Sequence, residues 1–366
     1  MVKSKKSQIA GDSSTQIQAD HDVHLGITVT EATVIARREA QLAVADLSSS
    51  ALIKATERST SLANRIIDVF TERQELLGAF AEPDFNFAMR DASRAAASND
   101  EEHTEDLLVD LLTNRAEQGG STRIRLVTSH AIIAADKLSL EALNGLTCLW
   151  VASYIGPLGG GLQNRLEAFG SIITTLTDKC TPSKGVDWLG DLDLLGLVRL
   201  LENGLSSRTP YDEYIAGKFP LYLVPGINNE AAEPLLKVIL DKHPVIAGLI
   251  EEHPLKEGFR LVRAENKETL IEQLETSGIM VKEIPELEQL LEQNQFGTKD
   301  PAAEAKLREM IKADPILNKF AQWWDPLPPI SFTAVGDAVG FVNTRRHINF
   351  QGAQNLSDFF KLREAG

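Results

Sequence analysis

Cysteine is nearly absent from this chain: Cys148 and Cys180 are the two thiols in 366 residues. Two are too few for a disulfide framework or a zinc site, so both read as reduced, which predicts a cytoplasmic protein. Positive charge is also in short supply, with 37 lysines and arginines against 52 acidic residues and a formal charge of −15. Such a balance repels phosphate backbones and anionic lipid unless basic residues are concentrated locally. A long hydrophobic run is missing as well. No charged residue lies between Glu141 and Arg165, yet Gly156-Pro157 and Gly159-Gly160-Gly161 cut that run short of the roughly 20 residues a spanning helix needs. A buried helix ending in a glycine loop is expected there. Lysines at the N-terminus are followed by no apolar segment, so no secretory signal is read.

Glycine and proline are absent from Ile27 to Leu77, and that absence predicts a long helix beginning near Thr30 and Glu31. In heptad steps, Ile35, Leu42, Phe70 and Leu77 fall on one apolar line, with Leu52 and Ile66 beside it. A helix of about 50 residues would be about 75 Å long at 1.5 Å per residue, more than a small domain can cover. Partner copies are therefore expected, with a hairpin folding back on the same chain as the alternative. Before the helix, the polar run from Ile9 to Leu25 carries isolated apolar residues, including Ile17 and Val23, and alternates over Thr15 to Ala19. It reads as a short β stem closed by several copies, or else as a solvated tail. Ile17, Val23, Ile35, Leu42, Leu52, Ile66, Phe70 and Leu77 are thus the candidate oligomerisation residues.

Content of 43% apolar and 24% charged residues is that of a globular protein. Asp91 to Asp106 reads as a surface connection, and apolar helical patterns follow from Leu107, over Ile124 to Ala135, Leu138 to Tyr154 and Leu162 to Leu176. Val186 to Leu201 predicts a helix closing into a strand at Gly196-Leu197-Val198, and in Ile330 to Val342 Thr333 can cap a helix. Between these pieces lie a strand-like Leu221 to Val224, helix-like Glu230 to Lys242, strand-like Phe259 to Val262 and helix-like Lys267 to Thr276. Helices near Pro285 to Gln293 and Pro301 to Ala313 complete an expected α/β insertion. The expected organisation is mainly α: a stem over 1–28, a long coiled-coil-like helix over 29–82, a helical body over 83–206, an inserted α/β subdomain over 207–329 and a return to the body over 330–366.

Gly196-Leu197-Val198 and Thr333-Ala334-Val335-Gly336 together resemble the winged-helix pattern, in which a Leu-Gly-Leu-Val strand precedes a second strand and a Thr-x-x-Gly helix start. This chain departs from the pattern by the long stretch between the two pieces. The run Gly11-Asp12-Ser13-Ser14-Thr15 through Ile17-Gln18-Ala19, then Asp22-Val23, resembles the opening of a family of uncharacterised bacterial proteins, some encoded near phage-defence genes. Thr333 to Gly336 through Asn343 and Arg345-Arg346 is similar to how that family closes. The resemblance implies no catalytic residues.

Several literal motif matches carry little. Asp46-Leu47-Ser48-Ser49-Ser50 fits an Asp-x-Ser-x-Ser metal motif but is expected inside a helix, where the hydroxyls cannot converge. Glu265-Asn266-Lys267 resembles half of a nuclease site and lacks a second carboxylate. Asp191 and Asp193 beside Trp188 read as the wet side of a helix, and the Asp20, His21, Asp22, His24 cluster reads as a polar stem. No phosphate loop or nucleophile elbow is present. Neither a metal nor a cofactor is expected. The leading expectation is a non-enzymatic homo-oligomeric sensor or scaffold acting on a protein partner, with antiphage defence implied by the resemblance alone. Alternatives are a winged-helix regulator touching DNA through Arg345 and Arg346, and a membrane-damaging effector using Leu143 to Leu162.

Overall fold

The computed structural model describes residues 27–45, 49–118, 121–156, 160–201, 208–264, 266–350 and 352–365. Two compact units are formed, residues 1–136 with 355–366, and residues 137–354. The expected stem, with Ile17 and Val23, lies outside the described residues except at its last positions.

In the first unit, α1 (Val29–Ala43) starts at Thr28, whose hydroxyl accepts from the Glu31 amide while the Glu31 carboxylate accepts from the Thr28 amide. This reciprocal cap moves the helix start from the expected Thr30 to Thr28 and holds the exposed Glu31 carboxyl below its ordinary range. The expected long helix does not run through. α1 ends at Ala43, and α2 (Ser49–Glu72) begins five residues after Val44 and packs along α1. Neither glycine nor proline marks the break. The serine run Ser48-Ser49-Ser50 follows it, and serine side chains compete for backbone hydrogen bonds in a helix interior. Ala32, Ala36 and Ala40 repeat every fourth residue of α1 and are all buried, so small side chains line the face that α1 packs against α2 and α3.

A 3-10 turn over Gln74–Ala81 leads to α3 (Pro83–Ser98), which opens with proline at its first position. α4 (Glu102–Glu117) follows after three residues, so the expected surface connection over Asp91 to Asp106 is instead mostly helix. Ala92, Ala95 and Ala96 explain why: their small side chains belong to the buried face of α3. Arg58 pairs with Asp100 at 3.0 Å, Arg65 with Glu105 at 3.4 Å and Arg73 with Glu117 at 2.6 Å, so α2 and α4 run in parallel. Phe70, Phe80 and Phe85 form the aromatic centre, with ring centroids 5.2–5.9 Å apart. α5 (Thr122–Ala135) completes this unit together with α16 (Leu356–Ala365), where Arg123 pairs with Glu364 and lies over Phe360.

The second unit is built on α6 (Leu140–Tyr154), whose Leu143, Leu146, Leu149, Trp150 and Val151 are buried. Its apolar residues are consumed by packing, and no described helix is long and apolar enough to cross a membrane. α7 (Leu162–Lys179) and α8 (Asp187–Leu194) precede β1 (Val198–Leu200). The chain returns to pair β1 antiparallel with β5 (Ile330–Phe332), Leu200 opposite Ile330, before α15 (Ala334–His347) packs on α6. Between them lie α9 (Tyr211–Ala216), β2 (Ile227–Asn228), α10 (Asn229–Lys242), β3 (Ile250–Glu252), β4 (Phe259–Val262), α11 (Lys267–Thr276), α12 (Pro285–Gln293), α13 (Pro301–Ala313) and α14 (Pro315–Trp324). The three short strands form an antiparallel sheet in the order β2-β4-β3, and its core gathers Ile227, Leu236, Ile239, Val262, Leu270 and Leu290. One expected strand is corrected: Pro220–Tyr222 is a 3-10 turn ending at Leu223. The four apolar residues Leu221 to Val224 are buried there without alternating between two faces.

The hairpin makes Phe70 a core residue and leaves Leu42 outside. Phe70→Ala is expected to cost about 3–5 kcal/mol in denaturant unfolding, whereas Leu42→Ala stays within about 0.5 kcal/mol. Equal costs for the two would contradict the fold-back.

Candidate functional site

The two ends of the expected seam part company. Ile66, Phe70 and Leu77 are buried inside the first unit, Ile35 and Leu52 are half-buried, and Leu42 is exposed. Only the last three retain surface with which to meet another molecule. Val34 and Ile53 add to it: both are exposed, and Val34 lies on the side of α1 away from the buried Ala32, Ala36 and Ala40. The outer face of the α1–α2 hairpin is thus the candidate interaction surface. The signal was present in the sequence as the heptad line, but the helix break reassigned half of it to the core.

Buried charge in the same unit is structural. Glu39 accepts from Arg90 at 2.7 Å and ties α1 to α3. Arg115 donates to the Asp84 carboxylate at 3.1 Å, the Arg125 carbonyl at 2.8 Å and the Ser129 hydroxyl at 2.8 Å, joining α3, α4 and α5. Burial lowers its pKa, and the Asp84 charge opposes that shift.

The remaining sequence candidates are local devices. Arg345 donates to the Gln354 carbonyl and Arg346 to Asn343, at the end of α15 where cations meet the negative end of the helix dipole. Asp187 and Asp191 of α8 are exposed, while Asp193 is half-buried and accepts from the Leu200 amide at 3.3 Å. Asn266 caps α11 by accepting from the Thr269 amide, and Lys267 lies 4.0 Å from Glu292, so neither is drawn into a nuclease arrangement; Glu265 is outside the described residues. Asp46, Leu47 and Ser48 and the Asp20 to His24 cluster are also outside them, and Ser49 and Ser50 open α2. Among the described residues, no group of three or more His, Cys, Asp or Glu is gathered as for a metal. The thiols Cys148 and Cys180 are both buried, and burial pushes both up, Cys180 to about 11.

A polar knot that sequence reasoning missed holds the neck of the α/β insertion. The Asp300 amide donates to the Leu223 carbonyl at 2.7 Å, and Lys256 donates to the Pro225 carbonyl at 2.6 Å and the Asp300 carboxylate at 2.5 Å. Beside them His253 is buried, its Nε2 3.1 Å from the Val224 carbonyl and its Nδ1 accepting from the Leu255 amide at 3.2 Å. The second contact needs Nδ1 bare, so the ring is neutral with its proton on Nε2. Desolvation lowers the His253 pKa, with Lys256 and Lys306 in the same direction and the Val224 carbonyl and Asp300 against it. Residues dispersed over three segments, 223–225, 253–256 and 300, leave no local signal in the chain.

All of this describes a mainly helical protein with a small antiparallel sheet between β1 and β5 and exposed apolar residues on the α1–α2 hairpin. A family model whose description reads only ":-like" matches residues 26–359, and the chain belongs to that family. No curated protein and no solved structure matches it.

His253 gives a pH dependence with a definite sign. Because the folded ring resists protonation, the unfolded chain takes up the proton first as pH falls below about 6.5. The stability contributed by neutral His253 is present above that pH and is lost as pH falls through the lowered folded value. Wild type is expected to lose a few degrees more of melting temperature than His253→Gln between about pH 8 and pH 5.5. Parallel pH profiles for the two proteins would contradict this role.

Proposed function

We propose that the protein is a non-enzymatic recognition protein that self-associates through the α1–α2 hairpin and acts by protein–protein contact. The observation that carries this reading is the exposure of Val34, Leu42 and Ile53, at 63%, 45% and 64%, on a hairpin whose inner face is already satisfied by alanines. Alanine-lined packing brings helices close but leaves large apolar side chains outside, and several such side chains on one element favour association. The β1–β5 pair and the helix capped by Thr333 support a winged-helix-like reading of the second unit. Exposed Asp187 and Asp191 on α8 repel phosphate, which supports a protein as the partner rather than nucleic acid. The resemblance of both chain ends to bacterial proteins encoded near phage-defence genes supports antiphage defence as the setting.

Light scattering on the full chain tests the self-association. Wild type is expected to give the mass of a multimer, and Val34→Gln, Leu42→Gln and Ile53→Gln combined are expected to give a monomer with unchanged helicity. A wild-type monomer at micromolar concentration would overturn the reading.

A further inference from the structure

The second unit holds a groove that the self-association reading does not use. Its floor and walls come from α7, the turn over residues 181–186 and α14 with the residues after it, and its volume is about 700 Å³. Pockets for small organic ligands run from about 300 to 1,000 Å³, so this one has the size to bury a two- or three-ring molecule. The lining is chiefly apolar: Ile173, Val186, Ile316, Phe320, Trp323 and Leu327. Val186 and Ile316 remain 46% and 38% exposed, while Phe320 and Leu327 of the same lining are buried.

The aromatic wall is fixed before anything binds. The Trp323 indole donates to the Ser183 carbonyl at 2.9 Å, and its ring stacks on Trp188 with centroids 6.2 Å apart and planes 11° apart. Trp188 in turn donates to the Gly185 carbonyl at 3.1 Å. Gly185 has φ +70°, a conformation that lets the turn bring both carbonyls to the two indoles. A wide, flat side chain held by one hydrogen bond and by a stack on a second indole that is itself hydrogen-bonded loses little freedom when a ligand arrives, which is the condition for tight recognition of a planar body.

Charge at the rim selects the ligand further. Lys184 and Lys319 both line the groove, both are exposed, and neither forms an ion pair among the described residues. Asp178 is the one acidic side chain in the lining. In a chain of formal charge −15, a groove with an excess of cations is the exception rather than the average surface. We infer that this groove is a binding site for a small organic anion with a planar apolar body, its rings against Ile316 and Trp323 and its negative group toward Lys319 and Lys184.

The test uses the full chain and 1-anilinonaphthalene-8-sulfonate, a two-part aromatic sulfonate whose fluorescence rises on leaving water, beside N-phenyl-1-naphthylamine, its uncharged counterpart. One saturable class of sulfonate site is expected per chain. Ile316→Asp is expected to weaken sulfonate binding about tenfold or more, while Leu126→Asp on the first unit leaves it unchanged. Lys319→Glu is expected to weaken the sulfonate several-fold, in a salt-dependent manner, and to leave the uncharged dye unaffected. Circular dichroism and melting checked on each variant separate loss of binding from loss of fold, and Val186→Asp gives a second reading on the other wall. Sulfonate binding that survives both Ile316→Asp and Val186→Asp in folded protein would overturn the site. Equal effects of Lys319→Glu on the two dyes, or none on either, would overturn the preference for an anion. Binding of neither dye would overturn the inference outright.

Discussion

Strand β1 can end the helical part of the second unit only because β5 comes back to it, and the closeness of that return rests on the lack of one side chain. At Gly336 an added Cβ would lie 1.8 Å from the Leu197 carbonyl oxygen. The Thr333 hydroxyl donates to the Gly196 carbonyl at 2.6 Å and accepts from the Gly336 amide at 3.1 Å, and the Thr333 amide donates to the Leu197 carbonyl at 3.1 Å. One threonine therefore caps α15 and seals the helix start to the turn before β1. Everything between Leu201 and Pro329 leaves and re-enters at the same place, where the Leu201 amide donates to the Pro329 carbonyl at 3.0 Å. Such an insertion can carry its own core without disturbing the element that hosts it.

What α15 gains from that anchoring is a place against α6. The Asn343 amide group donates to the Thr147 hydroxyl at 2.8 Å inside the contact, and Gly340 lies against the Trp150 ring. α6 is capped at its far end by a cation: Lys218 donates to the Ser153 and Ile155 carbonyls at 2.9 and 3.0 Å, and its burial lowers its pKa to about 8. The apolar run that could have suggested a membrane segment is thus enclosed on one side by a helix that arrives nearly at the end of the chain. Its length without charge reflects burial on all faces.

Much of the fold was legible where punctuation was strong. Pro285, Pro301 and Lys267 are helix starts that the structure places at those residues, and Phe259 to Val262 is a strand by its bounded apolar run. Where punctuation was missing, reading failed. Nothing between Ile27 and Leu77 told of the break after Ala43, because the break depends on what α1 packs against rather than on a residue that forbids helix. Alanine works in the opposite direction at Ala95 to Ala97, where small residues that suggest a loop by composition lie in the last turns of α3, with Ala95 and Ala96 buried. The apolar heptad positions divide by the same logic: Leu42 is exposed, while Ile66, Phe70 and Leu77 have the same spacing and are buried inside the first unit. The groove of α7 and α14 has no signature in the chain beyond Trp323, since its members are gathered from three separate segments.

Hydrogen exchange on wild type and Gly336→Ala measures the closure most directly. If a single contact seals β1 to the start of α15, the substitution strips protection from residues 197–201 and 330–336 together, although the whole insertion separates them in the chain. Loss confined to the α15 start, with 197–201 still protected, would show that the two segments are held independently.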